Sequence, residues 1–150
     1  RTIKFPPSMM LQNWMGTDLT NDDLVKQSSI LVDYTHKIIG EEPKEGYDCW
    51  IIELIPKEEA PVVWGKVLIW VDKLEYMMLQ SDYYDEDDFI VNQMIGSDIK
   101  EFSGKKLPSK LRVIPVENEG QETILTYDKL EFDINISDQF FTTNYMKRIR

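Results

Sequence analysis

From Ile30 to about Ile134 the chain alternates apolar and polar residues with a period of two, in runs rich in β-branched and aromatic side chains. Residues two apart share one side of a β-strand, so this period dictates strands with two distinct faces and leaves little room for amphipathic helices. Turn-forming clusters interrupt the alternation at intervals of about ten residues, the rhythm of a meander. The spacing predicts seven strands, over Ile30 to Glu42, Tyr47 to Ile55, Val63 to Asp72, Tyr76 to Tyr84, Phe89 to Phe102, Leu107 to Pro115 and Gln121 to Ile134. Between them, Glu45-Gly46, Asp85-Glu86-Asp87-Asp88, Ser103-Gly104-Lys105 and Asn118-Glu119-Gly120 supply residues that tolerate tight or left-handed turns. Connections this short pair sequential strands antiparallel, and no βαβ rhythm appears.

The faces follow from the pleat. Trp50, Ile52 and Leu54 share one side of the second strand, and Val67, Ile69 and Val71 share one side of the third. Met77 and Leu79 oppose Gln80 and Asp82 in the fourth, while Leu111 and Val113 oppose Lys110 and Arg112 in the sixth. Trp64, Leu68 and Trp70 place a second set of large apolar groups on the other side of the third strand. One continuous greasy face needs a cover. Only residues 1–29 precede the strands, and they offer two short helices. The first is Met9 to Met15, preceded by Pro6, Pro7 and Ser8 and stopped by Gly16. The second begins at the Thr20-Asn21-Asp22-Asp23 capping box, where the Thr20 hydroxyl is placed for the Asp23 amide, and runs to about Lys26. The expected architecture is one mainly-β domain over residues 1–150: a curved antiparallel sheet with short N-terminal helices as a lid.

Composition narrows the function. The 27 acidic against 17 basic residues leave a formal charge of −10, which repels a phosphate backbone and argues against nucleic acid and anionic membrane surfaces as partners. One cysteine, Cys49, and one histidine, His36, exclude an intramolecular disulfide and a Cys- or His-based metal cluster. No apolar run approaches the ~18 residues of a transmembrane helix, and the opening residues lack the apolar region of a signal peptide.

Catalytic readings find little support. The acidic stretch Asp82 to Asp88 lacks the glycine and distal glutamate of a calcium-binding loop and sits between strands. His36 lies near Asp33, but no nucleophile motif accompanies it, and Cys49 beside Trp50 is in an apolar setting that keeps a thiol protonated. No cofactor or metal is called for. Met9, Met10 and Met15 beside Leu11 and Trp14 are flexible apolar groups suited either to core packing or to a surface that repacks around variable apolar ligands.

Several segments in order resemble the outer-membrane lipoprotein-sorting protein family. They are Phe5-Pro6-Pro7-Ser8-Met9-Met10, Trp14-Met15-Gly16-Thr17-Asp18, Gly46-Tyr47-Asp48-Cys49, Ile52-Glu53-Leu54-Ile55-Pro56-Lys57, Val63-Trp64-Gly65-Lys66, Ser97-Asp98-Ile99-Lys100 and Asp138-Gln139-Phe140-Phe141. The resemblance covers essentially the whole chain and departs at Asp88, where the family usually carries Gly. It implies an incomplete LolA/LolB-like β-barrel closed by helices, and, since members are typically longer at the amino end, the carboxy-terminal part of a longer protein. It also implies a non-enzymatic periplasmic carrier of a lipid or a lipoprotein's acyl chains, delivering between membranes or to an inner-membrane transporter.

Combined with the facing, it makes Trp50, Ile52, Leu54, Val67, Ile69, Val71, Met77, Leu79, Leu111 and Val113 the expected lipid-binding wall, with Met10, Leu11 and Trp14 on the cover. The alternatives are a packed core in a protein–protein interaction module, or a lipid hydrolase using His36.

Overall fold

A computed structural model describes residues 6, 9–10, 12–25, 30–118 and 120–148. Seven strands form one antiparallel sheet in strict chain order: β1 (Tyr34–Lys44), β2 (Tyr47–Pro56), β3 (Lys66–Asp72), β4 (Met78–Tyr84), β5 (Ile90–Phe102), β6 (Lys105–Pro115) and β7 (Thr123–Thr126). The sheet does not close: β1 pairs only with β2 and β7 only with β6. Two hairpins turn on two residues in the left-handed region, Glu45 (φ 50°) with Gly46 (φ 83°) and Ser103 (φ 49°) with Gly104 (φ 81°). Such turns match the right-handed twist of the strands they join. Between β3 and β4 the buried Asp72 caps the turn, accepting from the Glu75 amide at 2.6 Å and donating its own amide to the Met77 carbonyl at 2.8 Å.

Cross-strand register aligns Ile38, Ile52, Ile69, Ser81, Met94, Val113 and Thr123 in one row across all seven strands. Residues directly opposite in a ladder share a face, so this row marks one side of the sheet. On it, Tyr34, Leu54, Trp64 and Val67 form a buried cluster with Ile52, Ile69 and Tyr83 against it. A second cluster, Cys49, Trp70, Met77 and Leu79 with Ile51 and Leu68, uses the alternate positions of β2 and β3 and so lies on the opposite side. Trp70 is sealed there by the Glu42 carboxylate, which accepts from its indole N–H at 2.8 Å, and by Lys44, 4.9 Å from its ring centroid.

The N-terminal part departs from expectation. The described residues of Met9 to Met15 do not form an α-helix; Asn13 bridges to Thr20, the Trp14 amide bonds the Leu19 carbonyl at 2.7 Å, and Met15 (φ 50°) with Gly16 (φ 78°) reverses the chain. Seven residues between prolines and glycine are too few to offset helix nucleation, and the doubled-back loop satisfies the same backbone groups. Leu11 lies outside the described residues. The second helix is α1 (Asn21–Val25), and its capping box is as read: the Asp23 amide donates to Thr20 Oγ1 at 3.2 Å and Asp23 Oδ2 accepts from the Thr20 amide at 2.8 Å.

Asp18 is pinned to β7, its amide donating to Thr123 Oγ1 at 2.8 Å and its carboxylate accepting from that hydroxyl at 2.7 Å. Since Tyr34 opens β1, the chain between Asp18 and Tyr34 leads from the last strand to the first.

The seventh strand is shorter than expected, four residues against Gln121 to Ile134. Beyond Thr126 the Tyr127 amide still donates to the Ser109 carbonyl of β6 at 2.8 Å, and the alternation of Leu130, Phe132, Ile134 and Ile136 persists in the sequence, but the strand is not continued there. The C-terminal segment, for which the sequence reading assigned no element, holds a 3-10 turn (Asp138–Phe141) capped by Ser137 and a short helix α2 (Thr143–Met146) capped by Thr142. Both caps are hydroxyl residues accepting a backbone N–H.

Candidate functional site: an apolar cavity on the sheet face

A cavity of about 350 Å³ opens on the side of the sheet marked by the Ile69 row. Its floor begins with Val67, Ile69 and Val71, alternate residues of β3, whose branched side chains stand on the same face because the pleat repeats every two residues. Met78, Leu79, Gln80, Ser81 and Tyr83 of β4, Met94 and Gly96 of β5 and Leu111 of β6 extend the floor, although Leu79 also belongs to the buried cluster of the opposite side. Tyr34, Trp64, Ile30 and the α1 carboxylates Asp22 and Asp23 complete the wall. Gly96 lets β6 pack closely on this part of β5: a Cβ there would meet Pro108 Cγ at 2.7 Å and Leu111 Cδ2 at 3.5 Å.

Of the expected wall residues, Val67, Ile69, Val71, Leu79 and Leu111 line the cavity. Leu54, fully buried, and Ile52 pack beneath it in the neighbouring cluster, and Val113 is buried opposite Met94 on the same face. Trp50 shares the face by register but stacks on Tyr76 with ring centroids 6.3 Å apart, away from the lining. Met77 belongs to the opposite cluster, as does Leu79, which also borders the cavity, and Met78 lines the cavity in place of Met77. The cause is a bulge: the register slips between Trp70 and Val71, which face Gln80 and Met78, so Leu79 is the extra residue and the parity of β4 reverses before it. Of the cover residues, Met10 is half-buried and Trp14 is exposed, and neither lines the cavity. That place is taken by α1 and Ile30, on the path from β7 to β1.

Asp22, Asp23, Tyr34 and Tyr83 gather at one end, while Gln80 and Ser81 line the cavity farther along β4. Asp22 is 5% exposed, and burial raises the Asp23 carboxyl above its ordinary value, with bonds from Thr20 pulling the other way and Asp22 adding to the rise. Tyr34 is pushed up to about 12 by burial and by Asp22, Asp33 and Asp23. Tyr83, also up to about 12, responds to burial first and then to Asp23. Trp64 packs on Tyr83 with centroids 5.2 Å apart. The sequence marked Asp22 and Asp23 as helix-capping residues; nothing in a five-residue helix shows which side its carboxylates face.

The candidates for chemistry lie elsewhere. The His36 Nε2 is 2.9 Å from the Ile30 carbonyl; register puts the residue opposite Leu54 on the cavity's side of the sheet, but it is exposed and outside the lining. Burial pushes the Cys49 thiol up, which keeps it protonated on the opposite face. Among the described residues no group of three or more His, Cys, Asp or Glu could hold a metal ion, and no helix is long and apolar enough to cross a membrane.

Three solved structures share this fold. A DUF1329 family protein from Desulfovibrio piger is 28% identical over 91% of this chain, with a TM-score of 0.82. A putative outer membrane lipoprotein-sorting protein domain from Vibrio parahaemolyticus is 20% identical over 95% of this chain, with a TM-score of 0.78. A LolA superfamily protein from Nitrosomonas europaea is 20% identical over 90%, with a TM-score of 0.71. The chain spans 56%, 60% and 60% of those three chains, respectively. No curated protein matches it. A family model described as "uncharacterized protein" matches residues 1–148. The chain belongs to that family, and its open seven-stranded sheet has the LolA-like fold of the lipoprotein-sorting proteins.

Proposed function

We propose that this domain is a non-enzymatic carrier that shelters an acyl chain of a lipid or lipoprotein in the cavity between the sheet and α1. The observation that carries the reading is the cavity itself, about 350 Å³ and walled chiefly by aliphatic and aromatic side chains. That volume falls within the ~300–1,000 Å³ range of ligand pockets, toward its lower end. Each methylene withdrawn from water contributes about 0.8 kcal/mol, so a partly sheltered chain can offset the cost of shifting the cover. The cover in this account is α1 with Ile30, and release follows when a partner displaces it or offers a better apolar site.

The periplasm, with transfer between membranes or to an inner-membrane transporter, is the setting that the lipoprotein-sorting and LolA superfamily neighbours support. Titration with an uncharged pyrene-labelled alkyl probe tests the binding step. Saturable binding at one site per chain, reversed by unlabelled lipids, is expected; a protein that neither binds nor is competed for is a packed interaction module instead.

A further inference from the structure

From Asp133 to Arg148 every described residue is exposed. Among the described residues, the last ties of this segment to the sheet come from the β5–β6 turn: the Ser103 hydroxyl donates to the Leu130 carbonyl at 3.3 Å, and the Lys105 ammonium lies 4.7 Å from the Phe132 ring centroid and 3.9 Å from the Asp133 carboxylate. Beyond them an arm carries the 3-10 turn and α2, each fixed by its own hydroxyl cap, Ser137 and Thr142. Phe140 packs on Phe141 and on Tyr145 with centroids 5.3 and 5.1 Å apart, yet Phe141 stays 72% exposed and Met146 64%. Water-exposed apolar groups gathered in one patch mark a contact site, whereas scattered ones do not. Charge is uneven here too. In a chain with a net charge of −10, no Asp or Glu lies between Gln139 and Arg150, while Lys147, Arg148 and Arg150 directly follow the aromatic cluster.

We propose that this C-terminal arm docks the domain on a bilayer surface bearing anionic phospholipid, with Phe140, Phe141, Tyr145 and Met146 entering the interface and Lys147 and Arg148 meeting the phosphates. The rings and the thioether leave water between the head groups, and the basic residues gain from the negative potential of such a surface. Screening limits the reach of an exposed charge to about 8 Å at physiological ionic strength, so the sign of the segment in contact counts for more than the sign of the whole chain. Of the acidic residues that precede the cluster, Glu131 pairs with Lys129 at 2.7 Å. A second copy of this chain fits the arm less well. It brings the same charge of −10, and a stable protein interface takes about 20–30 residues a side, more than Ile134 to Arg148 supply. The contact uses no residue of the cavity lining, so it is independent of the carrier reading.

Co-sedimentation with vesicles of phosphatidylethanolamine mixed with phosphatidylglycerol, against matched vesicles in which phosphatidylcholine replaces the phosphatidylglycerol, tests the assignment. Each basic residue at an anionic surface contributes a factor of about five, so binding to the phosphatidylglycerol vesicles should be at least about tenfold tighter. The preference should vanish in about 1 M salt, where the screening length falls to about 3 Å. Replacing Lys147 and Arg148 together by Gln should remove the preference, and Phe141→Ser should weaken binding to both vesicles; all three side chains are exposed, so the fold should not suffer. Lys37→Gln combined with Lys100→Gln takes the same charge from exposed positions on the sheet and should leave the preference intact. No binding, equal binding to the two vesicles, or an equal loss in the Lys37 and Lys100 variant overturns the proposal. Sedimentation equilibrium of the lipid-free protein supplies the other check: a dimer that Phe141→Ser dissociates would show that a second copy covers the arm, and would overturn it as well.

Discussion

At the scale of single residues, the site is governed by what burial does to Asp23 and by two glycines whose missing side chains set distances. The Asp23 carboxyl is raised above 3.8 in the fold, so the native state holds its proton more tightly than the unfolded chain does. The associated stability is complete below the unfolded value and is lost as pH rises through the folded one. The ionised Asp23 therefore opposes folding at neutral pH. Asp23→Asn should gain in melting temperature relative to the parent as pH goes from about 4 to about 7; a pH-independent gap would show that the carboxylate is not buried at cost. Gly65 is constrained differently: a Cβ there would meet the Asp85 carbonyl carbon at 2.7 Å and Glu86 Cα at 2.9 Å, both backbone. Neither can swing aside, so Gly65→Ala should cost roughly 1–3 kcal/mol in a denaturant titration. The Thr20–Asp23 cap was legible because it is a local pattern. The close approach at Gly65 was not, since it depends on where Asp85 arrives from a strand away.

Among elements, β3 and β4 make the cavity and the bulge between them decides which residues reach it. Alternation predicted the faces of β2, β3 and β6 correctly because no register slip intervenes there; it put Met77 and Leu79 on the cavity face, whereas both pack in the opposite cluster, because a bulge at Leu79 shifts the parity of β4 without any change of composition. The β2 and β3 faces also show why apolar character alone cannot locate a cavity. Both sides of β3 are apolar, yet only the one bearing Val67, Ile69 and Val71 lines open space. A variant that fills that space separates cavity from core. Leu111→Trp should hold stability within about 1 kcal/mol while weakening probe binding more than tenfold, whereas in a packed core the same overpacking costs about 1–3 kcal/mol. Loss of stability with unaltered binding would place the ligand elsewhere. The cover was misread for a related reason: the Met- and Trp-bearing segment looks helical in isolation, but its backbone finds partners at Leu19, Asn21 and Asp22.

The molecule as a whole is an open sheet in a strongly acidic chain with a charge of −10. An open sheet leaves two edges, and β1 carries the features that discourage pairing: Lys37, Pro43 and a bulge between Ile38 and Gly40. Global stability should also report the buried phenols. Tyr34 and Tyr83 are raised to about 12 from 10.0, so their contribution is intact below about pH 10 and disappears as pH rises toward 12. An alkaline titration should show two tyrosines ionising late, together with loss of the fold; all seven ionising near 10 with the fold intact would contradict their burial. The order of strands was readable from turn chemistry alone, but the path from Asp18 at β7 to Tyr34 at β1 was not, because it depends on Thr123, 105 residues along the chain from Asp18.

The most direct test of the central claim is native mass spectrometry of the protein purified without detergent from bacteria, paired with solvent extraction of whatever it carries. The account predicts a population heavier than the bare chain by the mass of one acyl-chain lipid, recovered intact in the extract. A single bare-chain mass with an extract free of lipid would contradict it.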